Sequence, residues 1–107
     1  MSERSQKNVR PEFTPVELPR QPWQKIAVDI KGPLNGPLRY LLVIVDYYSK
    51  WPEVFELESI DSKSVIAVLN QVFGRFGISR VLVSDNGKQL VSKILEKYLA
   101  KLKIYLN

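Results

Sequence analysis

Tyr40-Leu-Leu-Val-Ile-Val-Asp46 is followed by Tyr47-Tyr-Ser-Lys50 and then by Trp51-Pro-Glu-Val-Phe-Glu-Leu57. The first run, Tyr40 to Val45, is a continuous β-type stretch, apolar on both faces as a central strand would be. The last run alternates in part, with Val54 against Glu53 and Phe55 between Val54 and Glu56. Upstream, Lys25 to Ile30 carries apolar residues at 26, 27, 28 and 30 and reads as another largely buried strand. Gly32-Pro33 ends it, and Leu34-Asn35-Gly36-Pro37 is a turn cluster leading into the next run. Three strands with short joins predict an antiparallel meander.

Downstream the apolar period becomes helical. Val65, Ile66, Leu69, Val72, Phe73 and Phe76 share one broad helical face. Asp61 or Ser62 stands where an N-cap belongs, and Gly77 where a left-handed C-cap belongs. Arg80 to Val83 is a short strand. After the Asp85-Asn86-Gly87 turn, a second helix starts at Leu90 or Ser92, with Ile94, Leu95, Tyr98, Leu99 and Leu102 as its apolar stripe. Ile104 to Leu106 is placed to begin a fifth strand. The order β-β-β-α-β-α-(β) predicts an α/β fold, a mixed sheet with helices packed on it and a right-handed return crossover. Strands apolar on both faces call for cover on both sides, and two helices are few for that task. The expectation is an exposed apolar patch on the sheet or a helix flank.

At 107 residues the chain is one small domain. It has no cysteine and no histidine. That removes disulfides, thiolate and imidazole metal ligands, and His-based acid–base catalysis. Carboxylates, hydroxyls, lysines or a bound metal must carry any chemistry. The net charge of +5 favours polyanionic partners. Leu41 to Val45 is the longest apolar run, too short to cross a membrane. Residues 1–21 hold Pro11, Pro15 and Pro19 with many charges and read as an extended arm.

Two aspartates end strand-like runs: Asp29 after Trp23-Gln-Lys-Ile-Ala-Val, and Asp85 after Arg80-Val-Leu-Val-Ser. In a meander followed by a β-α-β return, the first and fourth strands are neighbours, so the two carboxylates would stand side by side. Hard divalent cations take oxygen ligands of this kind. Asp85-Asn86-Gly87 is also plain turn chemistry, and Asp29 also reads as a solvated strand end.

Three motifs in order resemble a known family. Pro22-Trp23 through Val28-Asp29-Ile30 to Gly32-Pro33, Tyr40 through Asp46 to Glu53, and Ser84-Asp85-Asn86-Gly87-Lys88-Gln89-Leu90 are similar to the catalytic core of retroviral and LTR-retrotransposon integrases, in particular the Ty3/gypsy type. The resemblance runs from about Trp23 to the C-terminus and implies an RNase H-like fold. It divides the chain into an extended arm, 1–21, and a partial catalytic core, 22–107. It implies metal-dependent phosphoryl transfer in DNA integration. Asp29 and Asp85 match the two aspartates of the family's catalytic, metal-binding triad, with Mg2+ or Mn2+ as cofactor, held weakly by two ligands. The third member, a glutamate on a later helix, would fall beyond Asn107. The expectation is a core truncated before its third catalytic residue and inactive alone. The zinc-binding His/Cys module that usually precedes the core has no counterpart here, and Leu90 replaces a usual Phe. The implied partners are DNA and a second integrase chain or a homo-oligomer, with no membrane. An intracellular place of action follows, the nucleus included.

Lys88, Lys93, Lys97 and Lys101 are the candidate nucleic-acid contacts. The last three are spaced i, i+4, i+8 and share one helix face, which either tracks a phosphate backbone or is simply solvated. Asp46 is expected to cap a turn, Glu96 to be a solvated helix charge, and Tyr47, Tyr48 and Trp51 to pack the sheet edge rather than stack bases. Against the enzyme reading stands a noncatalytic nucleic-acid- or protein-interaction module derived from a retrotransposon integrase, and, third, a fragment with no role of its own.

Overall fold

The computed structural model describes residues 18–37, 39–84 and 92–107. Among the described residues seven elements follow one another: β1 (Lys25–Lys31), β2 (Tyr40–Asp46), β3 (Pro52–Leu57), α1 (Ser62–Phe76), β4 (Val81–Val83), α2 (Lys93–Lys101) and β5 (Tyr105–Leu106). They build one five-stranded sheet in the order β3-β2-β1-β4-β5. β1, β2 and β3 pair antiparallel, as the meander predicts, while β4 joins β1, and β5 joins β4, in parallel.

Gly32 closes the β1–β2 connection for a steric reason. Its φ is +131°, and a Cβ there would lie 2.5 Å from the Arg39 carbonyl oxygen and 2.9 Å from the Tyr40 ring. Only glycine fits such a close approach. The Leu34 N–H donates to that same Arg39 oxygen at 2.7 Å and fastens the loop.

α1 begins at Asp61, whose carboxylate accepts from the Ser64 N–H at 2.8 Å, and ends at Gly77, with φ +97°. α2 begins at Ser92, whose hydroxyl accepts from the Leu95 N–H at 3.0 Å. The Ser62 and Ser92 hydroxyls meet at 2.7 Å, so the two helix starts are tied together. The open choice of cap for α1 thus resolves to Asp61, and α2 takes Ser92 as its N-cap.

One buried cluster holds the molecule together. Ile26, Val28 and Ile30 of β1 and Leu42 and Ile44 of β2 meet Val65, Leu69, Val72 and Phe73 of α1 and Leu95 and Leu99 of α2. Truncating one such aliphatic residue typically costs about 2–5 kcal/mol. Both helices therefore lie on the same face of the sheet. The other face carries Ala27 and Asp29 of β1, Leu41, Val43 and Val45 of β2, and Val54 of β3, which is 54% exposed. No helix among the described residues covers it; of the apolar side chains named there Val54 is exposed and the others are half-buried.

Three readings need correction. Asp29 does not close its strand, because the ladder with β2 runs on through Ile30 and Lys31, paired with Leu42 and Leu41. Ile94 is not on the buried stripe of α2: it is 58% exposed, about 120° around the helix from the Leu95–Leu99 face. Tyr48 and Trp51 do not pack into the sheet edge but stand 53% and 58% exposed. The pocket under the turn is taken instead by the Asp46 carboxylate.

Asp46 is fully buried yet fully bonded. Its Oδ1 accepts from the Trp23 and Tyr48 N–H groups at 2.8 and 3.2 Å; its Oδ2 accepts from the Ser49 N–H and hydroxyl at 3.1 and 2.7 Å. Burial pushes the carboxyl pKa up, but these hydrogen bonds outweigh it and hold it below the ordinary carboxylate value. The expected turn-capping role is what the structure shows, with one addition. Asp46 also anchors Trp23, which stacks on Phe76 of α1 at 4.0 Å between ring centroids.

Candidate functional site

Asp29 occupies the middle strand of the sheet, paired with Val43 of β2. Period-two alternation turns it to the uncovered face while its neighbours Val28 and Ile30 are buried. Its carboxylate is about half exposed, and its described partner is the Lys31 ammonium, 3.4 Å from Oδ2. An ion pair that open to water is worth little, so it does not commit the carboxylate. An exposed hard-oxygen donor on a rigid central strand suits a divalent cation.

β4 lies beside β1 with Lys25 paired to Val81, Ile26 to Leu82 and Ala27 to Val83. Asp29 is two residues past the last of these pairs on β1. Asp85, two residues past it on the other chain segment, lies outside the described residues, as does Lys88. Among the described residues no three acidic side chains gather into a metal-binding group. Glu96, in the first turn of α2, is exposed, as expected of a solvated helix charge.

Lys93, Lys97 and Lys101 are all exposed on α2. They sit about 140–220° around the helix from the midpoint between Leu95 and Leu99, so the basic stripe is centred opposite the buried one. Tyr98, on a flank of α2, donates its hydroxyl to the Asn70 side-chain oxygen of α1, and burial raises its pKa. No helix among the described residues is long and apolar enough to cross a membrane.

Sequence reasoning missed Glu53. It accepts from the Trp51 indole N–H at 2.7 Å and from Arg75 of α1 at 3.2 Å, so it ties β3 to the helix layer. No local pattern pointed to that pairing, since Glu53 and Arg75 are brought together only by the fold.

The model of the family described as Integrase core domain matches residues 19–106. The chain belongs to the integrase core domain family. Over 82 residues it is 41% identical to an uncharacterized protein of Caenorhabditis elegans, a match covering 77% of this chain and 6% of that protein. It is 38% identical over 81 residues to a Pol polyprotein of Radiation murine leukemia virus, covering 75% of this chain and 14% of the polyprotein. The chain thus spans only a small part of these relatives. Among solved structures, the HTLV-2 integrase catalytic core domain in complex with magnesium, in a trimeric form, superposes with a TM-score of 0.73. That match has 19% identity and covers 82% of this chain and 60% of that one. At such identity the likeness bears on the fold, and the sheet with its two helices is an integrase-core, RNase H-like sheet.

Proposed function

We propose that this integrase core uses Asp29 and Asp85 as a pair of metal-holding carboxylates for phosphoryl transfer in DNA joining. The observation that carries the reading is the parallel β1–β4 pairing, with both aspartates at the same offset from the Ala27–Val83 pair. The exposed Asp29 carboxylate supports it, being open to a ligand in a way the buried and saturated Asp46 is not. Magnesium, which the HTLV-2 core contains, or manganese fits an all-oxygen donor set. Held by the Asp29 and Asp85 carboxylates, such an ion would supply Lewis-acid polarisation of a phosphoryl oxygen and activation of the attacking oxygen.

The chain's own part is positional. β1 is the middle strand, paired with β2 through Asp29 and with β4 as far as Ala27, and so carries the Asp29 carboxylate on a hydrogen-bonded framework. Two like charges at neighbouring positions repel, and that repulsion favours a shared cation over two bare carboxylates. Lys93, Lys97 and Lys101 offer a cationic line for a DNA backbone on the helix face turned away from the core. The open sheet face around Val43, Val45 and Val54 offers apolar surface to a second chain, in keeping with the trimeric form of the HTLV-2 core.

Titrating Mn2+ into the protein, followed by the loss of the free ion's paramagnetic resonance signal, tests this reading without requiring activity. Weak binding abolished equally by Asp29→Asn and Asp85→Asn supports it. Binding that survives both substitutions contradicts it.

A further inference from the structure

The end of the sheet away from Asp29 has a different character. Lys25 begins β1 four residues before Asp29, about 13 Å along the strand. Backbone hydrogen bonds align the neighbouring segments there. The Tyr47 N–H donates to the Lys25 carbonyl at 3.0 Å, the Arg80 N–H to the Gln24 carbonyl at 2.9 Å, and the Tyr105 N–H to the Arg80 carbonyl at 2.8 Å. The β2–β3 turn, the entry to β4 and the entry to β5 therefore lie in one row. Neighbouring strands are about 4.8 Å apart, so the row from β2 to β5 is about 14 Å wide.

This row is cationic. Lys50, Arg80 and Lys103 are exposed and make no ion pair with the described residues. Lys50 stands over the Tyr47 ring, 5.4 Å from its centroid, and Lys25 over the same ring at 4.6 Å. The two carboxylates at this end of the β2–β3 hairpin are already engaged, Asp46 by the turn and Glu53 by Trp51 and Arg75, while Glu56 lies at the other end, paired with Leu41. Beside the cations stand two exposed rings, Tyr48 and Trp51. The Trp51 N–H is bonded to Glu53, which fixes the side chain and leaves the ring itself as what it offers.

We infer that this row is a contact surface for unpaired nucleic acid, with Trp51 and Tyr48 stacking on bases and Lys50, Arg80 and Lys103 meeting phosphates. Exposed aromatics beside cations free of ion pairs are the chemistry of sequence-tolerant single-strand binding, since every base has a stacking face and every nucleotide a phosphate. The chain's net charge of +5 attracts the same partner. The surface uses none of the residues assigned to the metal pair or to the α2 lysine stripe, so it stands or fails independently of them.

Fluorescence anisotropy with a labelled oligothymidylate of about 12 nucleotides, within the site sizes of single-strand binders, tests the assignment. Trp51→Ala and Tyr48→Ala should each weaken binding about 5- to 150-fold, while Trp51→Phe, which keeps a stacking ring, retains most of the affinity. The charge reversals Lys50→Glu and Lys103→Glu alter only exposed side chains and keep the test valid should Trp51→Ala fold poorly. Each should lower the slope of log affinity against log salt by about 0.7 for every phosphate it ceases to neutralise. The inference is overturned if the unmodified chain does not bind, if Trp51→Ala and Lys50→Glu bind unchanged, or if Trp51→Phe loses as much as Trp51→Ala. It is also overturned if sedimentation shows that Trp51→Ala changes self-association but not oligonucleotide binding, which would make the row an interface between copies.

Discussion

Replacing Asp46 should destabilise the protein far more than its position in a turn suggests. Four donors converge on its carboxylate: three backbone N–H groups, from Trp23, Tyr48 and Ser49, and the Ser49 hydroxyl. The residue is fully buried, so water cannot replace a lost acceptor without rearrangement. Asp46→Ala leaves three N–H groups without their acceptor. With about 1–3 kcal/mol for each buried donor left unsatisfied, and partial relaxation of an end of the sheet, a loss of about 3–5 kcal/mol follows. Asp46→Asn is milder. Its oxygen still serves Trp23 and Tyr48, but its NH2 faces the Ser49 N–H, donor against donor, and the loss should be about 1–3 kcal/mol. Urea unfolding read by tryptophan fluorescence measures both, and Trp23 reports directly because Asp46 holds it against Phe76. The pH dependence adds a second check. The folded pKa of Asp46 is depressed, so its stabilisation is fully present above the unfolded value of about 3.9 and is lost as pH falls through the folded value. Asparagine does not titrate. The stability gap between the unmodified chain and Asp46→Asn should therefore stay constant from about pH 7 to 5 and close only below about pH 4. A gap under about 0.5 kcal/mol, the size of a surface substitution, or one that closes near neutrality, would refute the reasoning.

Gly32→Ala should cost upwards of about 2 kcal/mol in the same unfolding assay, because its Cβ would overlap the Arg39 carbonyl at 2.5 Å; an unchanged midpoint would contradict the steric argument. Val43→Lys combined with Val54→Lys should reduce self-association in sedimentation at little cost in stability, since both positions belong to the uncovered face; unchanged association would place the interface elsewhere. Any Mg2+- or Mn2+-dependent joining of labelled DNA ends by the protein should be lost in Asp29→Asn, which removes one of the two proposed metal-holding carboxylates; joining that survives the substitution would contradict the assignment.

The parts of the fold that were legible in the sequence are those fixed by local chemistry. The caps at Asp61 and Ser92, the Gly77 terminus and the buried turn role of Asp46 all follow from residues within a few positions of one another. The meander was legible because its strands are separated by short turn clusters. What stayed hidden depends on the third dimension. Ala27 between Ile26 and Val28, and Leu41, Val43 and Val45 alternating with the buried Leu42, Ile44 and Asp46, blur the alternation that would have told the covered face from the open one. Ile94 has the hydrophobicity of a core residue but the wrong angle on α2. Tyr48 and Trp51 look like packing residues until the buried Asp46 is seen to fill the space beneath the turn and Glu53 to hold the Trp51 indole. Of the candidate site, the sequence supplied Asp29 and the α2 lysines, and the fold added their orientation: one face of a central strand, and the side of a helix remote from the core.

Diffraction from crystals of the protein soaked in Mn2+, with anomalous scattering to locate the ion, is the most direct check on the proposed pairing of Asp29 with Asp85. The β1–β4 pairing predicts a manganese peak between the two strands, ligated by oxygens of both carboxylates. A peak bound by one aspartate alone, or the two carboxylates turned to different faces of the sheet, would contradict it.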